Sequence, residues 1–465
     1  MQEKLYFYYT NDLHSDFEQW PRVAAFMKEA KANKEVTGDS CWIVDIGDHV
    51  DRVHPIAEAF MGKANVQLMN ELDYDIATIG NNEGITLAHH DLFHLYDEAN
   101  FQVVCANLHS LDGVFPKWLN NSVIIESKQG TKVGVIGLTA PFNDFYELLD
   151  WHVSDPYEAL AKHLADLKEK TDIIVILSHL GISEDQEIAR RFPAIDVIIG
   201  GHTHHLLRTG EKVNNSLITA AGKHCAFVGE VILTWDLEHK VLVDKEAYAT
   251  DITHISKDVS TVQRQSELEL AVENILGETV IQTNSVIEVK WFQHTPIMQR
   301  LTDKVRTWTK ADCAMLNSGL LLDDFPIGNV TYKDIHRICP HPINPCVVEL
   351  SGNELIEVTR ASFTKEFTEL KLKGFGFRGE IIGRMVFSGL KVETDFHDDG
   401  QEFVKDVTIN GQAIEKDKIY TVATADTFTF GRLLPEIAKS KTKNYFVPEF
   451  LRDLLAETLR EYYGR

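Results

Sequence analysis

The chain of 465 residues has few cysteines and no long apolar run, and each of these absences excludes a class of protein. Its 6 cysteines are scattered and form no Cys-x-x-Cys pair, which excludes a disulfide scaffold and predicts reduced thiols. No segment approaches the roughly 18 uncharged apolar residues of a membrane span. The N-terminal residues are not typical of a signal peptide. We therefore expect a cytoplasmic protein without a membrane partner.

Positive charge is also scarce. The chain has 46 Lys and Arg against 70 Asp and Glu, which gives a net charge of −24. A nucleic-acid polymer is excluded as a partner, because its binders cluster Lys and Arg and no such stripe is present. A small anionic substrate stays compatible with this charge, since a bound metal reverses the local field. The 20 histidines direct attention to metal chemistry.

Short β-rich runs alternate with amphipathic stretches through roughly the first half of the chain. Apolar runs without alternation predict strands covered on both faces, and hence a layered α/β domain. The predicted strands are Leu5–Tyr9, Cys41–Ile46, Ile76–Ile79, Val103–Ala106, Val133–Leu138, Ile173–Leu177 and Val197–Ile199. The predicted helices include Val23–Ala32, Ala64–Leu72 and Pro156–Lys168.

The pattern changes beyond about Asp251. The stretch Lys257–Leu276 predicts one charged, amphipathic helix that connects two domains. A second α+β segment follows, with a helix near Pro296–Lys310 and strands near Val347–Leu350, Met385–Glu393 and Tyr420–Ala423. We expect a first domain at residues 1–255, a connecting helix at 256–276 and a second domain at 277–465.

Polar residues follow the predicted strands directly, where α/β sheets place their sites. Carboxylate and amide oxygens suit hard divalent cations, and Zn, Mn, Fe and Ni also accept imidazole. Residues two apart on an extended segment point the same way, so each His-x-His or Asp-x-His pair can converge on one centre. The strand-end residues are Asp12, His14, Asp48, Asn81, His179, His202 and His204.

The motif series Asp-Leu-His, Gly-Asp-His-Val-Asp-Arg, Gly-Asn-Asn-Glu, Ser-His-Leu-Gly and Gly-Gly-His-Thr-His-His resembles that of the calcineurin-like metallophosphoesterases. The stretch Ala57–Glu83 is similar to the 5'-nucleotidase subfamily, as are Asn317-Ser318-Gly319 and Gly328–Asp334 in the second half. The chain resembles a bacterial, cytoplasmic variant of that subfamily. This resemblance implies a β-sandwich domain flanked by helices and a second, α+β substrate-binding domain.

The resemblance also implies a centre of two divalent metal ions that hydrolyses a phosphate ester through a metal-activated water. The identity of the ions stays open among Mn, Zn, Fe, Co, Ni and Mg. Carried over by motif, the first ion takes Asp12, His14 and His204, the second takes Asn81, His179 and His202, and Asp48 bridges them.

The third motif departs from the family, which usually has Gly-Asn-His-Glu followed two residues on by Asp. Asn82 and Ile85 stand at the His and Asp positions. Asn82 remains a candidate catalytic residue, but an amide cannot give up a proton. We therefore expect either a better leaving group, such as a phosphoanhydride, or another acid. His205 and His49 are the candidates, against the simpler alternative that both face solvent or pack.

Arg52 is a candidate phosphate contact. Its segment resembles the Gly-Asp-x-Val-Asp-Arg of Ser/Thr protein phosphatases, and a guanidinium matches phosphate in bidentate fashion. The alternative is a structural ion pair with Asp51 or another nearby acid.

The second domain departs from the subfamily as well. Leu322 replaces the Arg that ends the nucleotidase segment Asn-Gly-Gly-Gly-Ile-Arg, and Arg384 holds one expected aromatic position. The Gly-rich stretch 374–379 predicts a loop that reaches a ligand. The candidate substrate contacts are Asn317, Phe375, Phe377, Arg378, Arg384, Phe428 and Phe430, against the alternative that the Phe rings pack internally.

Taken together, these patterns favour a hydrolase acting on a nucleotide or a related small phosphorylated metabolite. A phosphodiesterase or pyrophosphohydrolase acting on cyclic or sugar nucleotides is the alternative within this class. A catalytically weak sensor that binds metal and nucleotide is the alternative from another class. The oligomeric state is left open by the sequence.

Overall fold

The structure, a computed structural model, describes residues 1–372, 374, 376–398, 400–431 and 433–464. The chain divides into two compact units, Met1–Ala271 and Val272–Arg465. The division falls inside the segment 256–276 that the sequence predicts as the connection. Among these described residues, no helix is both long enough and apolar enough to cross a bilayer.

Strands and helices alternate through the first unit. Its strands are β1 (Gln2–Thr10), β2 (Ser40–Asp45), β3 (Ile76–Ala77), β4 (Gln102–Val104), β5 (Leu108–Ser110), β6 (Leu119–Asn120), β7 (Ser122–Glu126), β8 (Lys132–Thr139), β9 (Trp151–Val153), β10 (Ile173–His179), β11 (Val197–Gly200), β12 (Glu211–Val213), β13 (Ser216–Thr219), β14 (Phe227–Asp236) and β15 (Val241–Asp251). Its helices are α1 (Trp20–Thr37), α2 (Pro55–Phe60), α3 (Lys63–Asn70), α4 (Asn81–Thr86), α5 (His89–Phe93), α6 (Asn143–Tyr146), α7 (Pro156–Lys168) and α8 (Ile182–Arg191), and α9 (Val259–Leu276) begins in it and ends in the second unit.

Two mixed sheets form the sandwich that the family resemblance implies. The strand order is β15-β14-β1-β2-β3-β4-β6 in one sheet and β12-β13-β11-β10-β8-β7 in the other. The pairs β1–β2, β2–β3, β8–β10 and β10–β11 are parallel. Their carboxyl ends therefore present loops at one edge of each sheet, where ligand sites form.

The central strands are covered on both faces, which explains their unbroken apolar runs. In β10, Val175 and Leu177 enter the core cluster that joins the two sheets, together with Phe7 of β1. The alternate residues Ile174 and Ile176 pack instead in a second cluster with helices α7 and α8. Each fully buried aliphatic side chain contributes about 1.5–3 kcal/mol. The layered α/β prediction is confirmed.

Helix α7 shows how the local sequence determines where such a helix begins and which face it buries. Asp155 caps its N-terminus by accepting from the amide N–H groups of Tyr157 and Glu158. Pro156 occupies the first turn, where it has no amide hydrogen to leave unsatisfied. Leu160 and Leu164 lie on its buried face at helical spacing. The predicted bounds of this helix match the observed ones.

The second unit is an α+β assembly built around a five-stranded sheet. Its strands are β16 (Thr279–Thr283), β17 (Cys313–Asn317), β18 (Gly328–Thr331), β19 (Pro345–Ser351), β20 (Met385–Ser388), β21 (Leu390–Phe396), β22 (Glu402–Ile409), β23 (Gln412–Ala413), β24 (Ile419–Ala425) and β25 (Lys443–Tyr445). Its helices are α10 (Pro296–Thr309), α11 (Tyr332–Ile338), α12 (Gly352–Ala361), α13 (Lys365–Thr368), α14 (Pro435–Lys439) and α15 (Leu451–Tyr463). The main sheet has the order β20-β17-β24-β19-β25, and β21-β22-β23 form a separate sheet.

One predicted strand of this unit is wrong. The run Met385–Glu393 is not a single strand, because β20 and β21 belong to different sheets. Gly389 lies between them at a φ of 78°, in the left-handed region that favours glycine. A Cβ there would lie 2.7 Å from the carbonyl oxygen of Asp312, so the chain turns where only glycine fits.

Candidate metal centre

The loops that follow β1, β2 and β3 touch one another. The amide N–H of Asp12 donates to the carbonyl oxygen of Gly47 at 3.1 Å, and that of His14 donates to the carbonyl oxygen of Asp48 at 2.8 Å. The third loop comes equally close, since a Cβ on Gly80 would lie 2.1 Å from Oδ1 of Asp48. Glycine is required for that approach. These contacts bring three of the sequence motifs to one place.

Five of the seven candidate ligands adopt a left-handed backbone. Non-glycine residues rarely have positive φ, and such strain concentrates at functional sites. The φ values are 50° for Asp12, 51° for His14, 52° for Asp48, 70° for His202 and 57° for His204. The surrounding contacts hold this strain: the amide N–H of His202, for example, donates to both carboxylate oxygens of Asp12 at 3.1 and 3.0 Å.

One donor group consists of Asp12, His14 and His204. The two imidazole Nε2 atoms lie 3.1 Å apart. Oδ1 of Asp12 lies 3.4 Å from Nε2 of His204 and 3.8 Å from Nε2 of His14. These three potential ligand atoms all lie within 4.8 Å of one another. The geometry therefore brings together the three residues that the motif resemblance assigns to one ion.

The second donor group collects around Asn81. Its amide Oδ1 lies 3.2 Å from Nε2 of His179 and 2.8 Å from Nδ1 of His202. His179 is fully buried, and its other ring nitrogen lies 2.8 Å from the carbonyl oxygen of Ile46. A hydrogen bond of this kind orients an imidazole and fixes its tautomer. His179 thus presents Nε2 to the group.

Asp48 lies between the two donor groups. Its Oδ1 is 3.3 Å from Nε2 of His179, and its Oδ2 is 3.8 Å from Nε2 of His14. The two oxygens of one carboxylate thus face different groups, as a bridging ligand requires. Oδ1 of Asp12 also lies 4.0 Å from Nε2 of His179. Asp12, Asp48 and His179 therefore form a further group of three potential ligands.

The electrostatics of the buried carboxylates favour a cation. Burial opposes a charge on His179, but the carboxylates of Asp48 and Asp12 outweigh that effect and raise its pKa to about 10. Burial likewise opposes ionisation of Asp48, and His179 outweighs it, so the pKa of Asp48 lies below its ordinary value. Carboxylate, imidazole and amide donors in such a field fit divalent metal ions.

Glu83 supports the centre without facing it, and the sequence pattern assigned it no role. Its fully buried carboxylate accepts from the amide N–H groups of Asp48 at 3.0 Å, Val50 at 2.8 Å and Gly80 at 3.0 Å. Burial and the charge of Asp48 raise its pKa to about 7. It ties the Asp48 loop to the loop after β3. Its place in Gly-Asn-Asn-Glu was the available signal.

Asn82, where the family has His, turns toward a candidate ligand. Its Nδ2 lies 2.8 Å from Nδ1 of His14, and its amide N–H donates to Oδ1 of Asp48 at 2.7 Å. Asp51 approaches the same ring nitrogen of His14 with Oδ2 at 3.4 Å. Asn82 and Asp51 therefore both lie beside Nδ1 of His14, the ring nitrogen that faces away from the donor group. Asn82 also contacts the candidate ligand Asp48 through its backbone.

Arg52 is held by acids and carbonyls rather than exposed for a ligand. Its Nε and Nη2 donate to the two carboxylate oxygens of Glu58 at 2.8 and 3.0 Å, and its Nη1 donates to the carbonyl oxygen of Thr86 at 2.8 Å. The side chain is 8% exposed. This geometry favours the structural ion pair that the sequence left as the alternative.

The two substitute acids differ in access. His49 is buried, and the T-shaped contact with Trp20, at 5.1 Å between ring centroids, covers its ring. Burial lowers its pKa to about 3, so the imidazole stays neutral, and this environment favours the packing alternative for His49. His205 is exposed and has Nδ1 2.9 Å from the hydroxyl oxygen of Thr203. His205 remains a prediction.

Burial favours the packing alternative for two of the four candidate Phe rings. Phe377 is 2% exposed and stacks on His341, and Phe428 is fully buried near Phe367, so neither ring offers a face to a ligand. Phe430 is partly buried, with its ring parallel to that of Tyr445 at 6.4 Å. Phe375 lies outside the described residues.

The polar candidates of the second unit are engaged in structural contacts. Nδ2 of Asn317 donates to the carbonyl oxygen of Ile382 at 2.9 Å. Arg384 forms a bidentate pair with Glu402 at 3.0 and 3.1 Å. The amide N–H of Arg378 donates to Nδ1 of the buried His341 at 2.9 Å. These contacts favour structural roles for Asn317 and Arg384.

Comparisons with known proteins agree with both halves of this description. Residues 5–206 match the family model of the calcineurin-like phosphoesterases, and residues 273–432 match that of the 5'-nucleotidase C-terminal domain. The uncharacterized metallophosphoesterase YunD of Bacillus subtilis (strain 168) is 42% identical over 462 residues, which cover 99% of this chain and 100% of the relative.

More distant proteins share the two-part architecture. The 5'-nucleotidase of Vibrio cholerae is 24% identical over 426 residues, covering 78% of this chain and 76% of the relative. The solved structure of the NAD nucleotidase NadN from Haemophilus influenzae superposes with a TM-score of 0.68 at 16% identity. The superposition covers 99% of this chain and 97% of that one, and at this identity it shows a common fold.

Proposed function

We propose that this protein, which belongs to the calcineurin-like metallophosphoesterase family and carries a 5'-nucleotidase C-terminal domain, releases phosphate from a nucleotide or a related small phosphorylated metabolite. Family membership makes it a metal-dependent phosphoester hydrolase with nucleotide-related chemistry. The observation that carries the finer proposal is the convergence of two donor groups on the two oxygens of Asp48.

The proposal includes two divalent ions. One would be held by Asp12, His14 and His204 and the other by Asn81, His179 and His202, and Asp48 would be within reach of both. A bridging carboxylate offsets the repulsion between two cations, and the neutral amide of Asn81 adds an oxygen without adding charge. Because the donor set mixes imidazole with oxygen, it favours Mn, Fe, Co, Ni or Zn over Mg.

When bound, two divalent metal ions supply an activated water and hold the phosphoryl oxygens for in-line displacement. The chain itself keeps the donors in place. Glu83 fixes the backbone of Asp48, while Asp51 and Asn82 lie beside Nδ1 of His14 and restrict the position of its ring. Preorganised donors of this kind lower the cost of reaching the charged transition state.

The choice of leaving group favours a second candidate activity. Asn82 supplies no proton, and Ile85 replaces the acid that orients the usual His. General acid catalysis contributes about 10²–10⁴-fold, and its loss is smallest for good leaving groups. This observation favours pyrophosphohydrolase activity on a phosphoanhydride as the second candidate.

The place of action is part of the proposal. The six cysteines are all unpaired, and none forms a disulfide. Unpaired thiols are typical of proteins kept in a reducing compartment. We therefore keep the cytoplasm as the proposed location.

A metal-dependent activity panel tests the function. Chelator-treated protein is reloaded with Mn, Co, Ni, Zn or Mg and assayed with nucleoside monophosphates, nucleoside diphosphates, sugar nucleotides and a bis-aryl phosphodiester. Phosphate release from a monophosphate supports the proposal. Preferential cleavage of a phosphoanhydride or a diester establishes the alternative within the class. No turnover with any of these metals contradicts an enzymatic role and supports the sensor.

A leaving-group series tests the role of the missing acid. We expect rates to rise steeply from alkyl to nitrophenyl phosphates in the natural protein, and less steeply in the variant Asn82→His. Equal rates across the series in the natural protein would show that another residue supplies the proton.

A further inference from the structure

Two histidines of the first unit lie together outside the candidate metal centre. His90 belongs to α5, and His94 follows one helical turn later, since its amide N–H donates to the carbonyl oxygen of His90 at 3.2 Å. Side chains four residues apart on a helix share one face. The two imidazole rings are accordingly neighbours, with centroids 4.6 Å apart. We name these two residues the His90–His94 pair.

The spacing of the two rings suits one shared ion. Imidazole nitrogen binds zinc at about 2.0–2.1 Å, so two rings that share such an ion have centroids about 4.5–5.2 Å apart. The candidate metal centre gives a comparison within the same chain. The rings of His14 and His204 have centroids 5.2 Å apart, and the two histidines of the second donor group have the same separation. The His90–His94 pair is therefore at least as close as the histidines that the motifs assign to metal ions.

Asp97 orients one ring of the pair. Its Oδ2 lies 2.6 Å from Nδ1 of His94. A carboxylate at one ring nitrogen keeps the proton there and leaves the other nitrogen with a lone pair for a metal. In the part of the chain that the structure describes, no hydrogen bond occupies Nε2 of His94 or either ring nitrogen of His90. Each imidazole of the pair therefore has a nitrogen available to an ion.

The backbone beneath the pair is fixed, while the rings are accessible. Leu92 is fully buried, and the indole N–H of Trp118 donates to the carbonyl oxygen of Phe93 at 2.9 Å. His90 is exposed, and the side chain of His94 is 39% exposed. Two donors on an anchored turn lose less conformational freedom on binding an ion than two donors on a mobile segment.

The donor set indicates which ions the pair prefers. Imidazole suits Ni, Cu and Zn, whereas Mn and Mg prefer carboxylate, carbonyl and water oxygens. The surrounding sequence favours a cation, because residues 64–116 include no Lys or Arg. Asp97 and the neighbouring Glu98 are both exposed. The pair therefore differs from the candidate metal centre, whose donors include carboxylates.

We propose that the His90–His94 pair binds one Ni, Cu or Zn ion through one nitrogen of each ring, with Asp97 orienting His94 and water completing the coordination. The site shares no ligand with the candidate metal centre and is independent of the proposed function. The ion stabilises the folded chain, because the turn that brings the two rings together belongs to the folded state.

Equilibrium dialysis of the chelator-treated, full-length protein against Ni²⁺ tests the site. The natural protein should bind one more Ni per chain than His90→Gln or His94→Gln, and Asp97→Asn should bind that ion about 10- to 100-fold more weakly. The matched control is His239→Gln, which should lose no Ni. His239 is exposed and has Nδ1 3.1 Å from Oδ2 of Asp236, but no histidine lies four residues from it. Dialysis against Mn²⁺ should give equal counts in all of these proteins.

Equal Ni counts in the natural protein and His90→Gln would overturn the site, as would an equal loss in His239→Gln. The variant Asp48→Asn separates this inference from the proposed function. In that background, His90→Gln should still remove one Ni, and if it removes none, the ion belongs to the candidate metal centre and the inference is wrong. Absence of hydrolysis with every metal contradicts the proposed function and leaves this Ni count unaltered.

Discussion

The two units use their motif-marked residues in opposite ways. In the first unit, polar side chains from separate loops converge, as where Asn81 reaches both His179 and His202. In the second unit, Asn317 and Arg384 are engaged by a backbone carbonyl and by a carboxylate of their own unit. Motif residues of the first unit thus face one another across loops, whereas those of the second unit are engaged in contacts that stabilise their own fold.

The largest effect is expected at the carboxylate shared by the two donor groups. Asp48→Asn removes the charge that a bridging ligand needs, so metal-dependent hydrolysis should fall about 10²–10³-fold or more. Asp144→Asn, at an exposed acid of the same unit, serves as the control and should keep full activity. Activity retained in Asp48→Asn would remove Asp48 from the centre.

A smaller effect is expected at Glu83, which contacts the backbone of the Asp48 loop and not the metal ions. Glu83→Gln disturbs the three backbone amide contacts that hold the Asp48 loop. Metal affinity, measured by competition with a chromophoric chelator, should fall about 10- to 100-fold. Glu126→Gln, at an exposed position at the end of β7, should leave affinity unaltered. Equal affinities in the two variants would contradict a supporting role for Glu83.

The two bidentate arginines allow a direct comparison between the units. Arg52→Lys disturbs a buried pair with Glu58 and should lower the free energy of unfolding by about 3 kcal/mol, with KM within about twofold. Arg384→Lys disturbs a pair in which the arginine is 35% exposed and should cost about 1 kcal/mol or less. Thermal unfolding and steady-state kinetics measure both. A raised KM in Arg52→Lys would restore its candidacy as a phosphate contact.

The last comparison concerns pH and the second unit. Burial raises the pKa of Asp426 to about 7, so the folded state holds this proton more tightly than the unfolded state. Stability should therefore fall as pH rises from about 4 to 7, by about 2 kcal/mol between pH 5 and 8. Asp426→Asn should flatten that profile in denaturant melts, while the exposed Asp398→Asn should not. A parallel profile in both variants would show that Asp426 does not titrate on folding.

The sequence predicts the first unit well because its signals are local. Non-alternating runs such as Ile173–Leu177 mark strands covered on two faces, and ligand candidates such as Asp12 and His14 follow their strand within a few residues. Two of the three amide groups that Glu83 holds, those of Asp48 and Val50, lie 30 or more residues away along the chain. Such a tertiary contact leaves no periodic pattern.

The second unit is harder to predict for a related reason. Whether Phe377 is buried or Phe292 exposed depends on which segments pack against them, and both are simply Phe in loop-rich sequence. The single Gly389 inside Met385–Glu393 was the available signal that one predicted strand is two. Residue types in the second unit indicate which side chains could contact a ligand. Packing determines which of those side chains are exposed.

The central claim is that the first unit holds two divalent ions on either side of Asp48. Crystals of the protein loaded with Mn, measured at the Mn absorption edge, test it most directly. We expect two anomalous peaks, one beside Asp12, His14 and His204 and one beside Asn81, His179 and His202, with Asp48 contacting both. A single peak, or peaks away from Asp48, would contradict the claim.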